Sequence, residues 1–301
     1  MPGNGENQQA PAARAAARRR VASVFTAAVT AASLGMVVVG AVPAAAADPI
    51  CVSSAHPLAA ARMAANIATT LAQRPHSAVA IYAEDPALGV TCVLNPTKHF
   101  YSASVIKVTI LSALLYKIGG VGHLTTAQRN LAYSMITQSN NSAATTLWNE
   151  VGMSAMQNYV NRQGMHTTVL SPIWGLTQIT ALDELSQLNA LSHPSILGPY
   201  ARAYVLSLMA QVTSSQRWGV SVGVGVGVTL HIKNGWLAHP AAADWNINSL
   251  GVFTGTNINY DMAVLSGPAV GGQTETYGIQ TVQDVAGIIN RNLAGLHALF
   301  G

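Results

Sequence analysis

"FYSASVIKVTILSALL", residues 100–115, sets two serines and a lysine at the head of a strongly apolar run. The chain has only four lysines, yet one of them, Lys107, stands where a buried helix is expected, three residues after Ser104. At i and i+3 the two side chains share a helix face one turn apart, so the lysine amine can approach the serine hydroxyl. A free lysine titrates near pH 10.4, and desolvation is one of the few ways to bring it down to where it accepts a proton at neutral pH. Val105, Ile106, Val108, Ile110, Leu111 and Leu114 surround Lys107 with such an environment. The spacing therefore points to a serine nucleophile with its own base, and the helix N-terminus favours negative charge forming there. Taken alone, the same four residues also fit a lysine that snorkels to the surface.

Two later segments weigh against accident. "MITQSNNSAATTLW" (135–148) carries Ser139-Asn140-Asn141, and "HIKNGWL" (231–237) carries Lys233-Asn234-Gly235 in a strand-like run. The order S-x-x-K, S-x-N, K-x-G is the pattern of penicillin-recognising serine enzymes. From about residue 60 to 300 the chain resembles the class A β-lactamase-like serine hydrolases, relatives of the D-alanyl-D-alanine peptidases. The resemblance implies Ser104 as acylated nucleophile, Lys107 as its activator and Ser139 as the hydroxyl that relays a proton to the leaving nitrogen. It further implies Asn141 as an amide for the substrate's acylamide and Lys233, with Asn234, as the anchor of its carboxylate. Gly235 would let the substrate backbone lie against the strand, and the N–H groups of Ser104 and Trp236 would hold the oxyanion. The implied substrate is a small molecule, a β-lactam or a cell-wall peptide, and no cofactor is called for.

The sequence departs from the class A pattern in three places. Asn140 stands where aspartate is usual, and Asn234 where threonine or serine is usual. The third departure is chemical. Class A enzymes carry a glutamate on a loop after the S-D-N helix that activates the hydrolytic water, whereas here no Asp or Glu occurs between Glu150 and Asp183. The corresponding stretch is reduced to "SPIWG" (171–175), and His166 and Gln178 nearby sit in no recognisable motif. Acylation is expected to proceed and deacylation to be slow; a penicillin- or peptidoglycan-binding module without turnover and an esterase of small acyl esters are the alternative readings.

Half of the residues are hydrophobic and 9% are charged, which supplies a large core and excludes a disordered chain. Four of the fifteen basic side chains and one of the eleven acidic ones fall in residues 1–47, leaving a nearly neutral body with no basic stripe for nucleic acid. Residues 1–47, with Arg18-Arg19-Arg20, an apolar stretch and Ala44 to Ala47, read as a signal peptide cleaved before Asp48; an uncleaved membrane anchor is the alternative. The arginines match a twin-arginine signal only loosely. Secretion would let Cys51 and Cys92 form a disulfide rather than remain thiols.

The expected architecture is α/β (α+β): an antiparallel sheet flanked by terminal helices plus an all-helical lobe. A linker over 48–60 leads to a helix over 56–74, a hairpin of strands 77–85 and 89–95, and helices in a lobe spanning about 104–215. Strands at 219–233, 247–255 and 258–267 and a closing helix over 279–299 complete one domain over 61–301, expected to act as a monomer. The low-complexity "GVSVGVGVGV" (219–228) lacks phosphate-loop spacing and reads as a flexible strand or loop. The nine histidines lack metal-ligand spacing, so no metal site is expected.

Overall fold

The computed structural model describes residues 48–238 and 244–300; the leader expected at 1–47 lies outside the described residues. In chain order the elements are β1 (Cys51–Ser53), α1 (Pro57–Ala72), β2 (Ser77–Asp85), β3 (Val90–Leu94), β4 (Phe100–Tyr101), α2 (Ile106–Ile118), α3 (Thr126–Thr137), α4 (Asn141–Val151), α5 (Met153–Arg162), β5 (Gln178–Ile179), α6 (Ala181–Ser192), α7 (Pro199–Ala210), β6 (Thr229–Ala238), β7 (Trp245–Gly255), β8 (Ile258–Pro268) and α8 (Glu275–Phe300). The main sheet is six-stranded, in the order β1-β3-β2-β8-β7-β6, with every pairing antiparallel. β4 and β5 form a separate two-stranded ribbon beside the nucleophile turn. The expected mixed architecture, with terminal helices on one face and a helical lobe on the other, is the one observed.

Both faces of the sheet are apolar because both are covered. Ala80, Leu250, Val252, Ala263 and Leu265 join the core of the helical lobe. Their neighbours along the strands, among them Val79, Ile81, Phe253, Met262 and Val264, pack with α1 and α8. This is the two-residue alternation of side chains along a strand. α2 is buried at ten consecutive positions, Ile106 to Leu115, as expected of a helix enclosed on all sides. Its C-terminus is closed by Gly119 in the left-handed conformation.

Two expectations are corrected. Residues 48–60 are not a linker: β1 pairs with β3, Cys51 lies opposite Cys92 and is disulfide-bonded to it, and α1 already starts at Pro57. The strand expected at 219–233 begins only at Thr229. Residues Gly219–Ser221 form a 3-10 turn, and Gly219, Gly223 and Gly227 all take positive φ, which a strand cannot use. The Asn290 amide on α8 donates to the carbonyls of Val220 and Val222, tying this loop to the helix.

Candidate active site

Ser104 lies in a 3-10 turn, Ala103–Val105, that runs directly into α2. Ala103, just before it, has φ +47°, a left-handed conformation that a non-glycine residue holds only when its surroundings enforce it. Several clamps do so. The Ser102 N–H donates to Thr177 O at 2.8 Å, and the Asn248 amide of β7 donates to Tyr101 O at 2.8 Å and Ser102 O at 3.1 Å. β6 presses on the turn from the other side: a Cβ on Gly235 would stand 2.7 Å from Ser104 N and 2.8 Å from Val105 N. The glycine thus gives its space to the nucleophile's own backbone, a different use from the substrate contact expected of it.

Lys107 projects from the first turn of α2, and its amine lies 2.9 Å from Ser104 Oγ. It donates to Ser139 O at 2.7 Å and to Asn141 Oδ1 at 2.8 Å, with Ser139 Oγ at 3.1 Å. The residue is completely buried, and this desolvation lowers its pKa to about 7. A neutral amine has two N–H groups and one lone pair. With the two shortest contacts taking the N–H groups, the lone pair is left for the Ser104 hydroxyl.

Ser139 reaches this position because the α3–α4 connection is strained open at that residue, with φ +56°. The next residue, Asn140, caps α4 by accepting the Ala143 N–H at 2.9 Å. Asparagine and aspartate are equivalent caps, which gives the replacement of aspartate here a structural reading. Lys233, on β6, closes the group: its amine donates to Ser139 Oγ at 2.9 Å and to Asn234 O at 2.8 Å. Burial, and next the charge of Lys107, push the Lys233 pKa well down. Ser104, Lys107, Ser139, Asn141, Lys233 and Gly235 are therefore brought together from three stretches far apart in sequence.

Asn234 and Trp236 are not drawn into this cluster. The Asn234 side chain faces away from it, donating to Gln216 O and Trp218 O at 2.9 Å each and accepting from Ser249 Oγ at 2.6 Å. Alternation along β6 is the reason, since Lys233 and Gly235 occupy the opposite face. The Trp236 ring meets Trp218 edge-on, at 5.8 Å between centroids. Only its backbone is left for the expected oxyanion role.

No motif in the chain singles out Trp174. Its ring centroid is 4.9 Å from the Lys107 amine, and its Nε1 donates to Thr145 Oγ1 on α4 at 3.1 Å. The only signal was an isolated aromatic in the shortened loop. Ser171 to Thr177 contains no carboxylate. Of the acids that follow, Asp183 Oδ2 accepts from Thr167 N–H and from the Thr167 and Thr168 hydroxyls, and Glu184 is fully buried in the lobe. His166 is exposed, and Gln178 sits in β5 opposite Tyr101. Among the described residues no cluster of His, Cys, Asp and Glu suits a metal ion.

The beta-lactamase enzyme family matches residues 62–292. The chain belongs to that family. Its members of this kind are serine hydrolases of the class A type, which agrees with the nucleophile and base found here. The backbone is similar to that of PBP-A, with a TM-score of 0.67 at 17% identity over 78% of this chain and 96% of that one. It is equally similar to a β-lactamase from Sphaerobacter thermophilus, with a TM-score of 0.65 at 19% identity over 78% and 97% of the two chains. A variant of PBP-A described as an acyl-enzyme complex with penicillin G gives 0.66 at 16% identity over 78% and 97%. At these identities the likeness establishes the shared fold. No curated protein matches the sequence.

Proposed function

We propose that this family member is an exported serine enzyme that is acylated at Ser104 by β-lactams or by D-alanyl peptides of the cell wall, and that it releases the acyl group slowly. The observation that carries the reading is the enclosed contact of 2.9 Å between Lys107 Nζ and Ser104 Oγ. Lys107 takes the hydroxyl proton as Oγ attacks the amide carbon, so one C–O bond forms while the carbonyl becomes an oxyanion. The N–H groups of Ser104 and Trp236 receive that charge, each such donor contributing about 3 kcal/mol in comparable sites. The proton then passes from Lys107 through Ser139 Oγ to the nitrogen of the breaking C–N bond, leaving an ester on Ser104. A substrate carboxylate arriving beside Lys233 favours the ammonium form that burial otherwise opposes and is held by it, and Asn141 offers its amide to the acyl side.

Slow release is supported by the carboxylate-free loop over Ser171 to Thr177, by the hydrogen bonds that occupy Asp183 and by the burial of Glu184. The same observation favours a second reading, a module that captures β-lactams or peptidoglycan stems without turnover. Export is supported by the Cys51–Cys92 disulfide, and a monomer by a cluster supplied wholly by one chain. Intact-protein mass spectrometry after mixing with a penicillin tests the proposal. An adduct on wild type that is absent in Ser104→Ala, and that decays over minutes or longer, is the expected result. Rapid product formation without adduct overturns slow release, and no adduct with either β-lactam or D-alanyl peptide overturns acylation.

A further inference from the structure

Trp174 belongs to none of the three motifs, yet it covers the amine on which they converge. The oxygens around Lys107 Nζ come from Ser104, Ser139 and Asn141, and the indole face comes from a separate element, the loop after α5. The residue is fastened at two points, one on the ring and one on the backbone. Its Nε1 donates to Thr145 Oγ1 on α4, and its own carbonyl accepts from Ser102 Oγ at 3.2 Å, beside the nucleophile. The following backbone is held to the nucleophile turn by the Ser102 N–H bond to Thr177 O. The backbone of residue 174 is thus tied to the turn that presents Ser104, and the ring itself is held over the amine by its bond to Thr145.

We propose that Trp174 is a positioning residue that acts through Lys107: its indole closes the amine's cage against water, so that proton transfer between Lys107 and Ser104 proceeds in a dry site. The proposal rests on the acylation reading above for its consequence, but the cage itself can be examined without acylation. Desolvation is what keeps Lys107 neutral near pH 7, and an opened cage returns hydration to the ammonium form. A lid of equal dryness without an aromatic face, leucine, should serve nearly as well as tryptophan if water exclusion is the function. Glycine should not.

Two measurements on wild type, Trp174→Gly and Trp174→Leu decide the matter. In the pH profile of Ser104 acylation by a penicillin, the rising limb should move toward alkaline pH by about one unit or more in the glycine variant and stay in place in the leucine variant. Independently of any penicillin, cyanate at pH 9 should carbamoylate Lys107 at least tenfold faster in the glycine variant than in wild type or the leucine variant, read by peptide mass spectrometry. Equal carbamoylation in wild type and glycine variant, or an unmoved limb, overturns the proposal. A leucine variant that behaves like the glycine variant also overturns it, because the ring face rather than dryness would then be what matters. If wild type forms no adduct with penicillin, the acylation reading fails and the cyanate comparison still decides whether Trp174 shields Lys107.

Discussion

Lys107 and Glu184 are both fully buried ionisable residues of the helical lobe, and their surroundings could hardly differ more. The lysine amine is met by oxygens of Ser104, Ser139 and Asn141. Among the described residues neither Glu184 oxygen has a hydrogen-bond partner. Burial penalises charge in both, bringing Lys107 down to about 7 and raising Glu184 to about 8, the latter helped by Asp183. The difference teaches that burial alone makes a residue neutral, whereas acceptors around it decide whether the neutral form can do chemistry. Lys107 has somewhere to send a proton; Glu184 merely keeps one.

The sharpest way to break this comparison is to disturb the cage without touching the amine. In Gly235→Ala the new methyl would stand under 3 Å from two backbone nitrogens of the nucleophile turn, and neither β6 nor that turn can yield without moving Ser104. Acylation by a penicillin should fall about 100-fold or more, as expected for displacement of reacting groups by an ångström. A rate within threefold of wild type, with the fold intact by circular dichroism, would show that the turn is not held by this contact.

The acylation rate should next report the lysine itself. With a folded-state pKa of about 7, Lys107 is a base only above that value, so the rate should rise with pH through 7 and level off beyond it. The expected change is about tenfold between pH 6 and 8. A limb near pH 10 would mean a hydrated, ordinary lysine.

Glu184 should show up in stability instead. Its carboxyl holds a proton in the folded state up to about pH 8 but loses it near pH 4.5 when unfolded, so the native form binds more protons between those values. Stability from this group is therefore fully present below about pH 4.5 and is lost as pH rises toward 8. Asp261 acts in the same direction, raised to about 7 by burial, opposed by its Ser192 bond, and facing Glu84 across the β2–β8 pair. Glu184→Gln should thus gain stability relative to wild type as pH increases, on the order of 2–4 kcal/mol by pH 8, in urea unfolding followed from pH 5 to 8. Parallel curves for the two proteins would remove the contrast.

Much of this was legible in the chain. The S-x-x-K spacing gave the dyad because helical periodicity is local, and the hairpin at 77–95 was readable from its turn between two short β-rich runs. Gly219, Gly223 and Gly227 misled because alternating Gly and Val mimics strand periodicity, while the backbone uses the glycines for positive φ, Gly223 doing so against α8. β4 and β5 are two residues each, too short for any periodic signal, yet they abut the nucleophile turn. Trp174 was invisible for another reason. Its partners Thr145 and Lys107 are distant in sequence, so only the folded loop makes it part of the site.

The smallest effect tests a departure from the family's usual residues. Asn140 points its Oδ1 at the Ala143 N–H and serves α4, although it sits between Ser139 and Asn141, which both touch Lys107. If capping is its whole contribution, Asn140→Asp should leave both stability and acylation within about twofold of wild type, since the two residues cap alike. Asn140→Ala should cost about 1 kcal/mol in urea unfolding, with acylation falling only as far as a loosened α4 shifts Asn141. An aspartate variant whose acylation limb moves upward in pH by a unit would contradict this, because a carboxylate there would then be felt by Lys107. The cage would have to include position 140, and its oxygens would no longer come only from Ser104, Ser139 and Asn141.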